Sequence, residues 1–288
     1  MINNLRIFGF ILLVYFIPVL LFAQNNVQME DLSWKVEKIQ SKVLNEEIGL
    51  RIYLPDGYEK SNEKYSVLYL APNWELSFPY VVGVTKFLSA IDRIPKLILV
   101  SVDCNRWRDM TPSVSPSHGP NTGHADNYLN FLENELFHYI EKEYKAKSER
   151  IFWSHSIGGA FGLYALLSKP DLFQYIIASS PWFPYELDEE QIKKYGNSVY
   201  EYEKGFILKN FELYLNKRTT QNNFLYMSIG NEPELMPYFD ELVKILEKKS
   251  PIGLKWKTSK WPNESHQSMY MYGLETGLMA LYSDMEFH

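Results

Sequence analysis

Ser156 stands in the run Arg150-Ile151-Phe152-Trp153-Ser154-His155-Ser156-Ile157-Gly158-Gly159, where a strand-like stretch meets small residues and then a helix-like stretch. That order turns a serine hydroxyl out past the end of a sheet, and the small residues let strand and helix approach closely. The usual spacing is G-x-S-x-G; Ser154 fills its first position here, giving S-x-S-x-G. A serine hydroxyl is a poor nucleophile until a base takes its proton, and that base needs a carboxylate to orient it. In a sheet of this kind the chain order is serine, acid, histidine, each just past a strand.

The chain has six histidines. His118, His124 and His138 precede the serine, His155 lies inside the turn but points elsewhere, and His288 is the last residue. His266 remains, in the short turn Pro262-Asn263-Glu264-Ser265-His266 after a strand pattern at Leu254–Trp261, and is the expected base. The acid is expected in Gly230-Asn231-Glu232-Pro233-Glu234, after the strand Phe224–Ile229. Glu232 lies nearer the strand end and is favoured; Glu234 is the alternative, and one of the two serves only to charge the start of the next helix. The oxyanion formed in acyl transfer needs preset donors. Ile157 N–H is one, and Asn73 or Trp74, after the strand Ser66–Leu70, would supply another, since Pro72 has no N–H.

Trp107 and Trp182 follow predicted strands and are candidate substrate-binding residues, with core packing as the competing reading. Trp74, Phe78 and Phe183 share that placement. Arg108 and Asp109 are expected to pair and staple their loop. No metal-ligand spacing and no glycine-rich phosphate cradle is present, so no metal or cofactor is expected.

These residues need elements to hold them. Ser33–Gln40 and Glu47–Leu54 alternate polar and apolar residues, which predicts a hairpin turning at Asn45 and Glu46. Strands are predicted at Ser66–Leu70, Leu97–Val102, Ile151–Trp153, Tyr175–Ala178, Phe224–Ile229 and Leu254–Trp261. Helices are predicted at Val81–Ile91, Tyr128–Tyr144, Ile157–Leu167, Pro237–Lys249 and Gly273–Tyr282, with a more polar cap or side element over Glu186–Thr220. Strands alternating with helices predict an α/β fold: a mainly parallel sheet covered on both faces, preceded by an antiparallel hairpin.

Met1–Ala23 has a positive residue, Arg6, then the apolar run Ile7–Phe22, and reads as a secretory signal cleaved before Gln24. An uncleaved anchor is the alternative; after cleavage no stable membrane insertion is expected. Residues 24–288 suffice for a single α/β domain. A net charge of −6 leaves no basic footprint for nucleic acid, and the one cysteine, Cys104, excludes an internal disulfide framework. Aromatics make up 16% of the chain, more than a core requires, which favours an aromatic-lined cleft.

The serine turn and three further stretches resemble the putative-esterase family of α/β-hydrolases, particularly its siderophore-esterase-like, esterase D and feruloyl esterase branches. The stretches are Arg106-Trp107-Arg108-Asp109-Met110-Thr111-Pro112, Tyr128–Leu136, and Lys169–Phe173 with Ser179-Ser180-Pro181-Trp182. The likeness runs from about Trp34 to Tyr282. It implies the α/β-hydrolase fold, Ser156 as nucleophile, Ile157 N–H in the oxyanion hole and His266 as base. The family usually has Gly where this chain has Ser154, and often Asp-Gly where it has Ala71-Pro72. The expected activity is that of an exported, periplasmic or secreted serine carboxylesterase using a Ser-His-Glu triad. The expected partner is a small-molecule or carbohydrate ester. Siderophore esterase, acyltransferase and catalytically silent binding protein are the alternatives.

Overall fold

The computed structural model describes residues 32–71, 77–112, 118–182, 211, 215, 222–249 and 253–283. The first strands form the expected hairpin: β1 (Lys35–Ser41) pairs antiparallel with β2 (Glu46–Tyr53), and Asn45 takes a positive φ of 56° at the turn. The remaining strands are β3 (Tyr65–Leu70), β4 (Ile98–Val102), β5 (Ala146–His155), β6 (Tyr175–Ser179), β7 (Asn223–Ile229) and β8 (Leu254–Lys260). They make an eight-stranded sheet in the order β1-β2-β4-β3-β5-β6-β7-β8. Every pairing from β4 through β8 is parallel, as the continuous apolar runs of β3, β4 and β7 require of strands buried on both faces.

Helices cover both faces. On one lie α1 (Ser77–Ala90) and, at the end of the chain, α7 (Met269–Tyr282), packing on Trp153, Ile177 and Tyr226. On the other lie α3 (Ala125–Phe131), α4 (Phe137–Glu143), α5 (Ile157–Ser168) and α6 (Met236–Lys249), around Tyr69, Phe152 and Ile176. A π-helical turn, Leu132–Leu136, joins α3 to α4. From it Glu135 accepts from Ser41 Oγ (2.6 Å) and from the N–H groups of Lys42 and Val43, fastening the hairpin turn to the body.

Three boundaries lie about four residues or more from the sequence expectation. Helix α1 begins at Ser77, not Val81, because Pro79 sits in the first turn, where a missing N–H costs nothing. Helix α7 begins at Met269, not Gly273. Gly273 lies inside the helix because α7 presses on β6 there: a Cβ would stand 1.9 Å from Ser179 Oγ. Strand β5 begins at Ala146, well before its buried centre, and a shift in register between Tyr65 and Val67 absorbs the difference. The stretch Glu186–Thr220 lies outside the described residues apart from Phe211 and Leu215, both buried.

After β4 the chain makes a short helix, α2 (Arg106–Asp109), whose cap is Asn105 accepting from Arg108 N–H. Asp109, fully buried, accepts from Asn105 N–H (2.8 Å) and Arg108 Nε (2.6 Å), and Arg108 also pairs with Glu46 at the start of β2. The expected Arg108–Asp109 pair therefore staples this loop to the sheet.

The turn between β5 and α5 is crowded. Ser154, buried, points its hydroxyl at Gly158, where a Cβ would lie 1.9 Å from Ser154 Oγ and 2.6 Å from its Cβ. No hydrogen-bond partner among the described residues reaches that hydroxyl. Having Ser154 at the first position of the motif thus makes glycine obligatory at the last. Gly158→Ala should cost about 2 kcal/mol by overpacking. Ser154→Gly in the same chain should recover most of that, read as a coupling of at least ~1 kcal/mol in urea midpoints. Additive effects of the two changes would refute the contact.

Candidate active site

The site assembles where strands β5 to β8 end. Ser156 follows β5 directly, with φ 60° and ψ −124°, and Ile157 opens α5 behind it. A non-glycine residue at positive φ is sterically costly and persists only where its surroundings hold it. Three main-chain bonds do so: Ser156 N–H to Ser179 O (3.0 Å), Ala160 N–H to Ser156 O (3.0 Å) and Trp182 N–H to Ser156 O (2.9 Å). Because Ile157 is the first residue of α5, its N–H is one of the first-turn donors that a helix does not use itself.

Glu232 follows β7 and is 4% exposed. Its carboxylate accepts from Gly230 N–H (3.0 Å), from the Ser180 hydroxyl and from His266 Nδ1. Burial pushes its pKa up, but the hydrogen bonds from His266 and Ser180, the charge of His266 and the Gly230 N–H outweigh that and hold it below its ordinary value. Glu232 is therefore an anion at neutral pH. Glu234 is exposed and makes no hydrogen bond to His266 among the described residues. Of the two glutamates that the sequence left open, Glu232 is the one brought to the histidine.

His266 lies in the turn after β8, half-buried. That turn is tied down by Asn231 N–H to Glu264 O (2.6 Å), Trp261 N–H to Ile229 O (2.8 Å) and Glu264 N–H to Trp261 O (3.0 Å). With Nδ1 engaged by Glu232, the ring's Nε2 is left to face other chemistry. The His266 ring packs 4.4 Å from that of His155, so His266 and the serine turn lie side by side. Among the described residues no hydrogen bond joins the Ser156 hydroxyl to His266. In ligand-free hydrolytic sites this contact is often open and tightens when substrate binds.

Trp107, on α2, is 38% exposed. Its ring stacks on His118, with centroids 3.7 Å apart and planes 13° from parallel, and meets the Trp182 ring edge-on at 5.7 Å. His118 also meets Trp182 edge-on. The three rings form a corner beside the serine turn, joined to it through Trp182 N–H. Asn73 and Trp74, the expected second oxyanion donors, lie outside the described residues, as does Phe183. Phe78 is buried in the core. Among the described residues no cluster of histidine, cysteine, aspartate or glutamate could hold a metal ion. Burial pushes the Cys104 thiol up to about 12, which keeps it un-ionised.

Two residues of this site were not foreseen. Ser180 takes a φ of 41° and spends its hydroxyl on Glu232, while its N–H bonds Ser228 O (2.7 Å). His155, expected to point elsewhere, turns toward His266. It is 2% exposed, and its Nε2 lies 2.7 Å from His266 O. No periodicity or spacing marks either residue; only their places beside Ser156 and at the end of β6 could have drawn attention.

Residues 41–225 match the Esterase family model, described as putative esterase. Over 63 residues the chain is 43% identical to ferri-bacillibactin esterase BesA of Bacillus subtilis (strain 168), a stretch covering 22% of each chain. In structure it is similar to an IroE-like serine hydrolase from Shewanella oneidensis, with a TM-score of 0.74 and 27% identity, over 89% of this chain and 82% of that one. It shares its fold with the BES protein from Bacillus cereus, at TM-score 0.67 and 23% identity, over 88% and 98% of the two chains. With a family match over more than half its length and a mainly parallel sheet ending in a strained serine turn, the chain belongs to the putative esterase family and has the α/β-hydrolase fold.

Proposed function

We propose that the protein is a serine carboxylesterase with Ser156 as nucleophile, His266 as general base and Glu232 as the orienting acid. The observation that carries this reading is the buried Glu232 carboxylate on His266 Nδ1, beside a serine held at positive φ. His266 Nε2 takes the Ser156 proton as Oγ attacks the ester carbonyl carbon. The carbonyl oxygen becomes an oxyanion, stabilised by Ile157 N–H with a second donor from around Asn73 or Trp74. The tetrahedral adduct collapses, His266 returns the proton to the leaving alcohol, and an acyl-serine ester remains. Water, deprotonated by His266, then attacks the acyl carbon and releases the acid, restoring Ser156. Residues 24–288 act in this reading as one hydrolase domain.

Ser156→Ala should lower kcat for an aryl ester by roughly four to six orders of magnitude and abolish fluorophosphonate labelling, with the fold intact by circular dichroism. Glu232→Gln should cost roughly 10³–10⁴ in kcat, while Glu234→Gln leaves it unchanged. Equal losses in the two glutamate variants, or a wild-type rate in Ser156→Ala, would refute the assignment. Product from an added acceptor alcohol would mark a transferase, and an unlabelled Ser156 a silent scaffold.

The corner of Trp107, His118 and Trp182 suits a flat acyl group better than acetyl, because ring stacking contributes ~1 kcal/mol beyond burial. The substrate reading is therefore an aromatic acyl ester, with a carbohydrate as the alcohol it is linked to. The similarity to BesA over 63 residues favours a second reading, a siderophore ester. Trp107→Ala should raise KM for a feruloylated sugar roughly tenfold and leave 4-nitrophenyl acetate unaffected. Turnover of a ferric siderophore alone, in a panel with feruloylated sugar and acetylated xylan, would overturn the carbohydrate reading.

Export rests on Met1–Ala23, which lies outside the described residues. Among those described, no helix is long and apolar enough to cross a membrane. Expressed whole in a bacterial host, the mature protein should begin at Gln24 by mass spectrometry; an intact Met1 in the recovered protein would count against a cleaved leader.

A further inference from the structure

We propose that His155 is a positioning residue: a neutral imidazole next to the nucleophile that holds the main chain of the base. The inference rests on the triad reading and extends it by one residue. Its ground is the 2.7 Å contact between His155 Nε2 and His266 O. A carbonyl oxygen only accepts, so His155 must donate, and its proton sits on Nε2. Burial, and then the neighbouring His266, push the His155 pKa down to about 3, so the ring stays neutral where an esterase works. Its role is therefore not proton transfer. The ring is wedged between His266 (4.4 Å) and Tyr270 (5.7 Å), which leaves it little room to turn.

His266 is then held twice. Glu232 orients the ring through Nδ1, and His155 fixes the backbone from which that ring hangs. Because His155 precedes Ser156 in the chain, the same turn that presents the nucleophile also anchors the base. A displacement of the turn moves both together, and their separation is preserved. Phenylalanine at 155 would keep the packing but lose the donor. Glutamine places an amide N–H near the position of Nε2; asparagine, one carbon shorter, does not.

The test is steady-state kinetics on the full chain with 4-nitrophenyl acetate, fluorophosphonate labelling rates and thermal midpoints. Variants are His155→Phe, His155→Gln and His155→Asn, with Ser156→Ala in parallel. His155→Phe and His155→Asn should lose roughly 100-fold in kcat and in labelling rate with KM unchanged, as expected of a base displaced by about 1 Å. His155→Gln should regain most of that loss. A purely structural role would move the midpoints and leave the Gln and Asn variants alike, so their comparison decides even where the Phe variant does not fold. Wild-type kcat in folded His155→Phe, or a Gln variant as slow as Asn, overturns the inference while leaving the triad reading intact. Turnover surviving in Ser156→Ala overturns both.

Discussion

A carboxylate withdrawn from water must be surrounded by donors or give up its charge, and the site is organised around that demand at Glu232. With 4% of its surface exposed, the group would be costly as an isolated anion. It draws its donors from three loops: Ser180 after β6, Gly230 after β7 and His266 after β8. Each loop leaves a neighbouring parallel strand, so all three converge at one edge of the sheet. Removing any one donor leaves the anion short of a partner, which is why the geometry resists drift. The histidine gains a fixed tautomer from the same arrangement, with its proton on Nδ1 and no partner for its other nitrogen among the described residues.

Strain is concentrated on the neighbouring strand ends and held by bonds that cross between them. Ser156 and Ser180 both adopt positive φ, at 60° and 41°, where side chains are disfavoured. Ser156 N–H bonds the last residue of β6, Ser180 N–H bonds β7, and Trp182 N–H returns to Ser156 O. The two strained serines thus lock one another through the sheet. Trp107 stands apart from these strand ends, on a loop stapled by Arg108, Asp109 and Glu46. Loops of this kind can vary without disturbing the strand ends beside them.

Much of this was legible because it follows from period and order. Continuous apolar runs marked the parallel strands, and the sequence order serine, glutamate, histidine, with each residue just past a strand, singled out Ser156 and His266. Between Glu232 and Glu234 the sequence supported only a preference for the residue nearer the strand end, since two residues in one loop differ in which faces inward, and the structure brings Glu232 to His266. Helix α7 extends to Met269, beyond its expected start at Gly273, where the lack of a side chain serves contact with Ser179. Ser180 and His155 escaped because their tasks depend on partners 52 and 111 residues away, distances at which no local pattern speaks.

His266 does not inherit the character of the strand that carries it. Strand β8 is polar and mostly half-buried, and among the described residues it is the edge of the sheet, pairing only with β7. Edge strands of that composition fray most easily. The turn beyond β8 is instead tied to the interior at Ile229, Asn231, Glu232 and His155, all on or just beyond inner strands. Three of those ties are made by β7 and its loop, and the fourth by the serine turn itself. The position of His266 is therefore set by the centre of the sheet, and β8 needs only to deliver the chain to the place where those groups can hold it.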